Sequence, residues 1–303
     1  MTKVLITGGS GYLGQRFTRF LLLSGVDVLF TSRQRLKSHS LNLGYPKNES
    51  DYLRLFSNHS FDCLIHLAGL DELKCAESPS DAIKTNVLYT YELLQAASMR
   101  NIPRIVYFST VHVYDSPLRG FYDENTPTFP THPYGYSKRS AEDIVNSIRK
   151  QTGANCTIFR LSNAIGAPVS SDMGRWSLVA NDLCLQAIRN KNMVLKSPGS
   201  QRDFIPIDDI ELTLLKVLKD EAALNGTYNL CSSTSFSILE LANLIQNECE
   251  KHIGFRPSIT TNDIQKDQFT LQLSNRKLEL SGHSLKKDFR KSIRETLEFC
   301  SQV

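Results

Sequence analysis

A chain of 303 residues, 41% hydrophobic and 22% charged, is long enough to bury a full core and carries no biased or repeated tract. Its formal charge of +4 comes from scattered Lys and Arg, which argues against nucleic acid as a partner but leaves basic residues for an anionic substrate. The seven cysteines (Cys63, Cys75, Cys156, Cys184, Cys231, Cys249 and Cys300) are odd in number and lack CxxC spacing, so neither a disulfide framework nor a metal site is expected. The opening segment MTKVLITGGSGYLG runs straight into a strand and a glycine turn, unlike a signal peptide. No apolar run approaches the roughly 20 residues of a membrane helix. A cytoplasmic protein without membrane contact is the expectation.

In chain order, Lys3–Thr7 reads as a buried strand, followed by a glycine turn and a helix with Leu13, Phe17, Phe20 and Leu21 on one face. Strands are predicted at Asp27–Thr31, Asp62–Leu67 and Arg104–Ser109, with a helix around Ala82–Ala97 between the last two. A helix starts near Pro133, where proline suits the first turn, and turns Ala141, Ile144, Val145 and Ile148 inward. Cys156–Leu161 is a further strand. This alternation predicts an α/β fold, a doubly wound parallel sheet of Rossmann type. Residues 1–166 form that domain, with a return of the chain near 203–230. Residues 167–303 form a smaller lobe with helices near Leu178–Arg189, Ile238–Cys249 and Lys286–Phe299; a strand at Asp203–Ile207 and a helix at Asp209–Lys219 mark the return.

Gly8, Gly11 and Gly14 lie between the first strand and the first helix. Glycines there allow a tight turn, close approach of a pyrophosphate and close helix–strand packing. The helix start at Tyr12 and Leu13 offers free N–H groups to an anion, so these residues are expected to hold a dinucleotide. Thr31-Ser32-Arg33-Gln34-Arg35 ends the second strand without the carboxylate that takes the ribose hydroxyls of NAD. Ser32 and Arg33 suit a 2′-phosphate, which favours NADP(H), with NAD(H) possible.

Tyr134 and Lys138 lie four apart at a helix start and share a face. Thr110 ends the preceding strand near the expected crevice. Lys138 as a cation can stabilise the tyrosinate and hold the nicotinamide ribose. Tyr134 can exchange a proton with a sugar hydroxyl or carbonyl while hydride moves, and Thr110 can orient the same oxygen.

ITGGSGYLG at the start, DCLIHLAG at 62–69, IVYFSTVHVY at 105–114, PYGYSK at 133–138, FRLSNAIGAP at 159–168, GSQRDFIPIDDI at 199–210 and GTYNLCS at 226–232 together resemble the extended short-chain dehydrogenase/reductases of the nucleotide-sugar epimerase/dehydratase/reductase family. The resemblance implies that Thr110, Tyr134 and Lys138 are the catalytic triad. It places Leu67 and Ala68 along the cofactor, Asn42 near the adenine where the family has an acidic residue, and Asn86 as a structural asparagine. Asn163 and Arg202 would contact the diphosphate of a nucleotide-sugar substrate, although Asn163 could equally cap a turn and Arg202 pair with a carboxylate. A homodimer through the helices near 82–97 and 134–150 is also implied.

Val111-His112 stands where the family's dehydratases carry Asp-Glu, so dehydration is not expected; His112 reads as a packed or solvent-facing residue. Arg175 and Trp176 could meet the base or sugar, or Trp176 could anchor packing. The resulting expectation is an NADP(H)-dependent oxidoreductase that reduces a 4-keto nucleotide sugar with Tyr134 as acid/base. The alternatives are a nucleotide-sugar 4-epimerase with retained NAD(P), or an NADP(H) sensor without turnover.

Overall fold

The computed structural model describes residues 2–32, 44, 46, 48–171, 176–219, 224–261 and 270–303. In chain order the elements are β1 (Lys3–Thr7), α1 (Tyr12–Leu23), β2 (Asp27–Thr31), α2 (Glu49–Asn58), β3 (Cys63–His66), α3 (Glu72–Glu77), α4 (Pro79–Ala82), a π-helical stretch (Ile83–Leu88) and α5 (Tyr89–Met99). Next come β4 (Arg104–Thr110), a 3-10 turn (Val111–Val113), β5 (Gly120–Tyr122), α6 (Pro133–Thr152), β6 (Asn155–Leu161), β7 (Asn163–Ile165), α7 (Val179–Asn190) and β8 (Asn192–Leu195). The remainder is β9 (Gln201–Pro206), α8 (Ile207–Lys219), β10 (Gly226–Leu230), β11 (Ser235–Ser237), α9 (Ile238–Ile253), β12 (Ser258–Thr261), β13 (Leu271–Leu273), α10 (Arg276–Leu280) and α11 (Phe289–Cys300).

Two compact units result. The first comprises Met1–Leu118, Glu124–Leu161 and Leu214–Tyr228; the second comprises Arg119–Asp123, Ser162–Thr213 and Asn229–Val303. The first is built on a six-stranded sheet of order β10-β6-β4-β3-β1-β2, parallel through β6, β4, β3, β1 and β2. Its strands are near-continuous apolar runs because both faces are covered. On one face Leu5, Leu64, Ile105 and Ile158 meet Phe56 of α2, Leu93 and Ala97 of α5, and Val145 and Ile148 of α6. On the other, Phe17 of α1 lies 5.3 Å from Phe108, which lies 5.5 Å from Phe159.

The expected helix around Ala82–Ala97 is three pieces, with the π-helical stretch in the middle. Periodicity alone does not register an extra residue per turn, so the sequence gives no sign of it. Helix α2 escaped sequence reading; it starts at Asn48, whose side chain accepts the Asp51 N–H at 3.0 Å.

Arg160 and Glu142 form an ion pair sealed inside this unit. Arg160 on β6 donates to both carboxylate oxygens of Glu142 on α6, at 2.7 Å for the closest contact, and Ser109 on β4 donates to the same carboxylate at 2.6 Å. Arg160 also stacks over the Tyr114 ring at 4.8 Å. Burial works against the charge of Arg160, but its hydrogen bonds to Glu142 and that carboxylate's charge hold it above its ordinary value.

The second unit packs α7, α9 and α11 around Ile165, Leu183, Met193, Phe204, Leu241, Ile245, Ile293 and Leu297. Among the described residues its strands form three small sheets: β11-β9-β7, β12-β8 and β13-β5. Helix α9 begins with a capping box, Ser237 and Glu240 satisfying each other's backbone N–H. Trp176 is a packing residue, its ring 6.3 Å from Phe299. Buried Asp203 accepts from the Ser232 N–H at 3.1 Å and the Thr234 N–H at 3.0 Å. Asp209 accepts the Lys286 and Lys287 N–H groups at 2.8 Å each, tying down the segment before α11. Among the described residues no helix is long and apolar enough to cross a membrane, and no group of three or more His, Cys, Asp or Glu is placed to hold a metal ion.

Removing one partner of the ion pair, as in Arg160→Met or Glu142→Gln, strands the other; a loss of roughly 3–5 kcal/mol is expected on urea unfolding. Burial pushes the Asp203 carboxyl up to about 6 from 3.8, despite the hydrogen bonds from Ser232 and Thr234. The folded state then holds the proton more tightly than the unfolded state, so unfolding free energy should fall as pH rises through that window. Asp203→Asn should lack this slope, and parallel curves for the two proteins would contradict it.

Candidate active site

The carboxyl ends of β1, β3 and β4 meet the glycine turn and the first turn of α6, all within the first unit. Gly8 follows β1 with φ of 74°, and a Cβ there would stand 2.9 Å from Ala68 N. Gly14 lies so close to the turn that its Cβ would stand 2.3 Å from Gly8 O. Gly11 caps α1 without a side chain and donates its N–H to Gly8 O at 2.9 Å. Tyr12 and Leu13 open the helix, with no acidic residue in its first turn to compete for an anion. This is a cradle that side chains would fill, at a helix start whose field favours negative charge. It fits the pyrophosphate of a dinucleotide.

Leu67 and Ala68 leave β3 beside this turn. Leu67 donates its N–H to Thr7 O at 3.2 Å, and Ala68 donates to Thr7 Oγ1 at 3.3 Å. Ser32, at the end of β2, is buried and donates its N–H to Gly44 O at 2.9 Å. Arg33, Asn42 and Arg175 lie outside the described residues.

Lys138 is only 5% exposed; its Nζ donates to Phe108 O at 3.1 Å and stands 5.1 Å over the Tyr107 ring. Thr110 Oγ1 accepts the His112 N–H at 3.3 Å, fixing the 3-10 turn that follows β4. The His112 ring lies 6.5 Å from that of half-buried Tyr134. Helix α6 starts where it does because Pro133 suits the first turn and His132 Nδ1 accepts the Tyr134 N–H at 3.2 Å. Gly135 lets this turn approach the 3-10 turn, since a Cβ there would stand 2.5 Å from His112 O. Thr110, Tyr134 and Lys138 are thus gathered around the carboxyl end of β4.

Asn86 sits in the π-helical stretch, 1% exposed. Its Oδ1 accepts the Leu70 N–H at 2.7 Å and its Nδ2 donates to Ser137 Oγ at 3.0 Å, joining the loop after β3 to α6. His66, inside the apolar run of β3, was not singled out from the sequence, although a polar residue in a fully buried strand is itself a signal. It bonds Thr7 and Thr90 through its two ring nitrogens, and burial, aided by the Lys138 cation, pushes it down to about 3.

In the second unit, Asn163 opens β7 and donates Nδ2 to Asp203 O at 2.8 Å, so one of its donors ties β7 to β9. Arg202 lies on β9, half-buried, with its Nε buried and lacking a hydrogen-bond partner among the described residues. A buried guanidinium nitrogen left open suits an anionic ligand.

Residues 4–231 match the NAD dependent epimerase/dehydratase family, and the chain belongs to it. A UDP-glucose 4-epimerase of Mus musculus is 28% identical over 299 residues, covering 84% of this chain and 85% of that protein. Among solved structures, the UDP-glucose 4-epimerase of Thermus thermophilus in complex with NAD has a TM-score of 0.81 at 21% identity, covering 99% of each chain. RMD from Pseudomonas aeruginosa complexed with NADPH has a TM-score of 0.78 at 21% identity, covering 100% of this chain and 99% of that one. These two likenesses carry the fold.

A Cβ at Gly69 would stand 2.9 Å from Asn86 Oδ1 and 3.4 Å from Lys138 Nζ. Gly69→Ala should therefore displace that amide and weaken dinucleotide binding about tenfold, or about 1.4 kcal/mol, in a fluorescence titration. Unchanged affinity would show that the loop yields without cost.

Proposed function

We propose that this chain is a nucleotide-sugar 4-epimerase acting on a UDP-linked hexose and keeping its NAD(H) bound between turnovers. The observation that carries the chemistry is Lys138 Nζ, buried and anchored on Phe108 O four residues after Tyr134 on the same helix. A fixed cation there favours the tyrosinate. Likeness to the murine UDP-glucose 4-epimerase supports C4 as the reacting carbon.

Gly8, Gly11, Tyr12, Leu13, Leu67 and Ala68 would hold the dinucleotide, and its bound nicotinamide supplies the hydride acceptor and donor. Tyr134 takes the proton of the C4 hydroxyl as the sugar is oxidised and returns it when the ketone is reduced on its other face. Thr110 orients the same oxygen by hydrogen bonding. Lys138 also holds the nicotinamide ribose. Arg202 clamps the diphosphate, with Asn163 beside it offering what its bond to Asp203 O leaves open. Val111 and His112 supply no carboxylate pair for water elimination.

A second reading, reduction of a 4-keto nucleotide sugar by exchangeable NADPH, is favoured by Ser32 and Arg33 and by the absence of a carboxylate in that stretch. A homodimer through the helices near 82–97 and 134–150 is also proposed; exposed Leu88 and Tyr91 on the first of them support it.

Incubation with UDP-glucose or UDP-galactose without added dinucleotide should invert C4, read by proton NMR of the sugar. Tyr134→Phe should lower turnover by about 10²–10⁴-fold while still binding dinucleotide. Reduction of a 4-keto sugar by added NADPH with no epimerisation would favour the second reading.

A further inference from the structure

His66 is 3% exposed in a strand whose other residues are apolar, yet both of its ring nitrogens are bonded. Nδ1 lies 2.6 Å from Thr7 Oγ1, and Nε2 lies 2.9 Å from Thr90 Oγ1. The neighbours assign the hydrogens. Thr90 has one hydroxyl proton and donates it to Asn86 O at 2.8 Å, the ordinary back-bond of a helical threonine to the preceding turn. Toward His66 it can then only accept, so Nε2 carries the hydrogen. A neutral imidazole keeps its lone pair at Nδ1, which accepts the Thr7 hydroxyl proton. Thr7 Oγ1 in turn accepts the Ala68 N–H at 3.3 Å.

Every donor in this chain points the same way, from Ala68 through Thr7, His66 and Thr90 to the Asn86 carbonyl, so each bond polarises the next. Beyond it, the Asn86 side chain holds the Leu70 N–H and Ser137 Oγ, and Ser137 donates to Tyr134 O at 3.1 Å. An imidazolium at 66 would reverse the bond to Thr7. It would also bring a second cation to the Tyr107 ring, which His66 meets at 5.5 Å and Lys138 at 5.1 Å.

We propose that His66 is a positioning residue: held as its neutral Nε2–H tautomer, it sets the cofactor-side loop Leu67–Leu70 and, through Thr90 and Asn86, the helix turn that carries Tyr134. The effect on turnover rests on the proposed roles of Tyr134 and Lys138; the tautomer and its effect on dinucleotide binding do not. A strand needing only a buried side chain at this position would be served by a leucine, without the desolvation of two ring nitrogens.

Two measurements test it on the full-length protein. In ¹⁵N-histidine-labelled protein at neutral pH, with the His66 signals assigned by their loss in His66→Asn, Nδ1 should be pyridine-like and Nε2 protonated. A protonated Nδ1 overturns the proposal. Thr90→Val removes the acceptor at nearly constant volume, and Thr90→Ser keeps it. The valine variant should bind dinucleotide about tenfold more weakly and lose about tenfold in kcat, with KM for the sugar within about twofold and with both losses restored by serine. Wild-type binding and kcat in a folded Thr90→Val protein would overturn the positioning role, as would a loss that serine fails to restore. If the wild-type protein turns over no nucleotide sugar, the functional reading fails, while the tautomer and the dinucleotide affinities still decide the role of His66.

Discussion

A parallel sheet covered on both faces seals the side chains along its strands away from water, so polar groups there must find most of their partners inside the protein. That constraint organises the first unit. Polar side chains gather at the carboxyl ends of the strands, where buried Thr7, His66 and Thr110 lie. Arg160, Glu142 and Ser109 are bonded to one another, with only Arg160 Nη1 left without a hydrogen-bond partner among the described residues of this cluster, and they join β6, α6 and β4 behind the residues proposed to react. The strand that ends in Thr110 and the helix that carries Tyr134 and Lys138 are therefore held by a charged bond as well as by apolar contact.

Close backbone approach is the second condition. Gly8, Gly14, Gly69 and Gly135 each stand where a Cβ would collide with a neighbouring atom, and together they bring the turn after β1, the loop after β3 and the start of α6 within reach of one another. Polar side chains then lock what the glycines permit. Asn86 fastens the loop to the helix, and the chain through His66 fastens the loop to β1.

Much of this was legible in the sequence because local signals and long-range architecture agree there. The runs KVLIT, RIVYFS and CTIFRL are apolar enough to demand burial on both faces, and the glycine spacing at 8, 11 and 14 has one structural use at a strand–helix turn. Tyr134 and Lys138 were legible as a pair because helical spacing puts them on one face. Less was legible where partners are distant in sequence. His66, Thr90 and Asn86 become a chain only once β3 lies against the helix that follows it. The second unit was harder still: β8 pairs with β12, more than sixty residues later, and strands of three or four residues carry little periodicity to read. Sequence also leaned toward NADP(H) through Ser32 and Arg33, whereas the murine relative supports epimerisation.

The most direct measurement is the identity and oxidation state of any dinucleotide released when the purified protein is denatured. The account predicts NAD⁺ at close to one equivalent per chain, because an enzyme that removes and returns the same hydride has no need to exchange its cofactor. A protein that emerges empty and then binds NADPH far more tightly than NADH would contradict the epimerase reading.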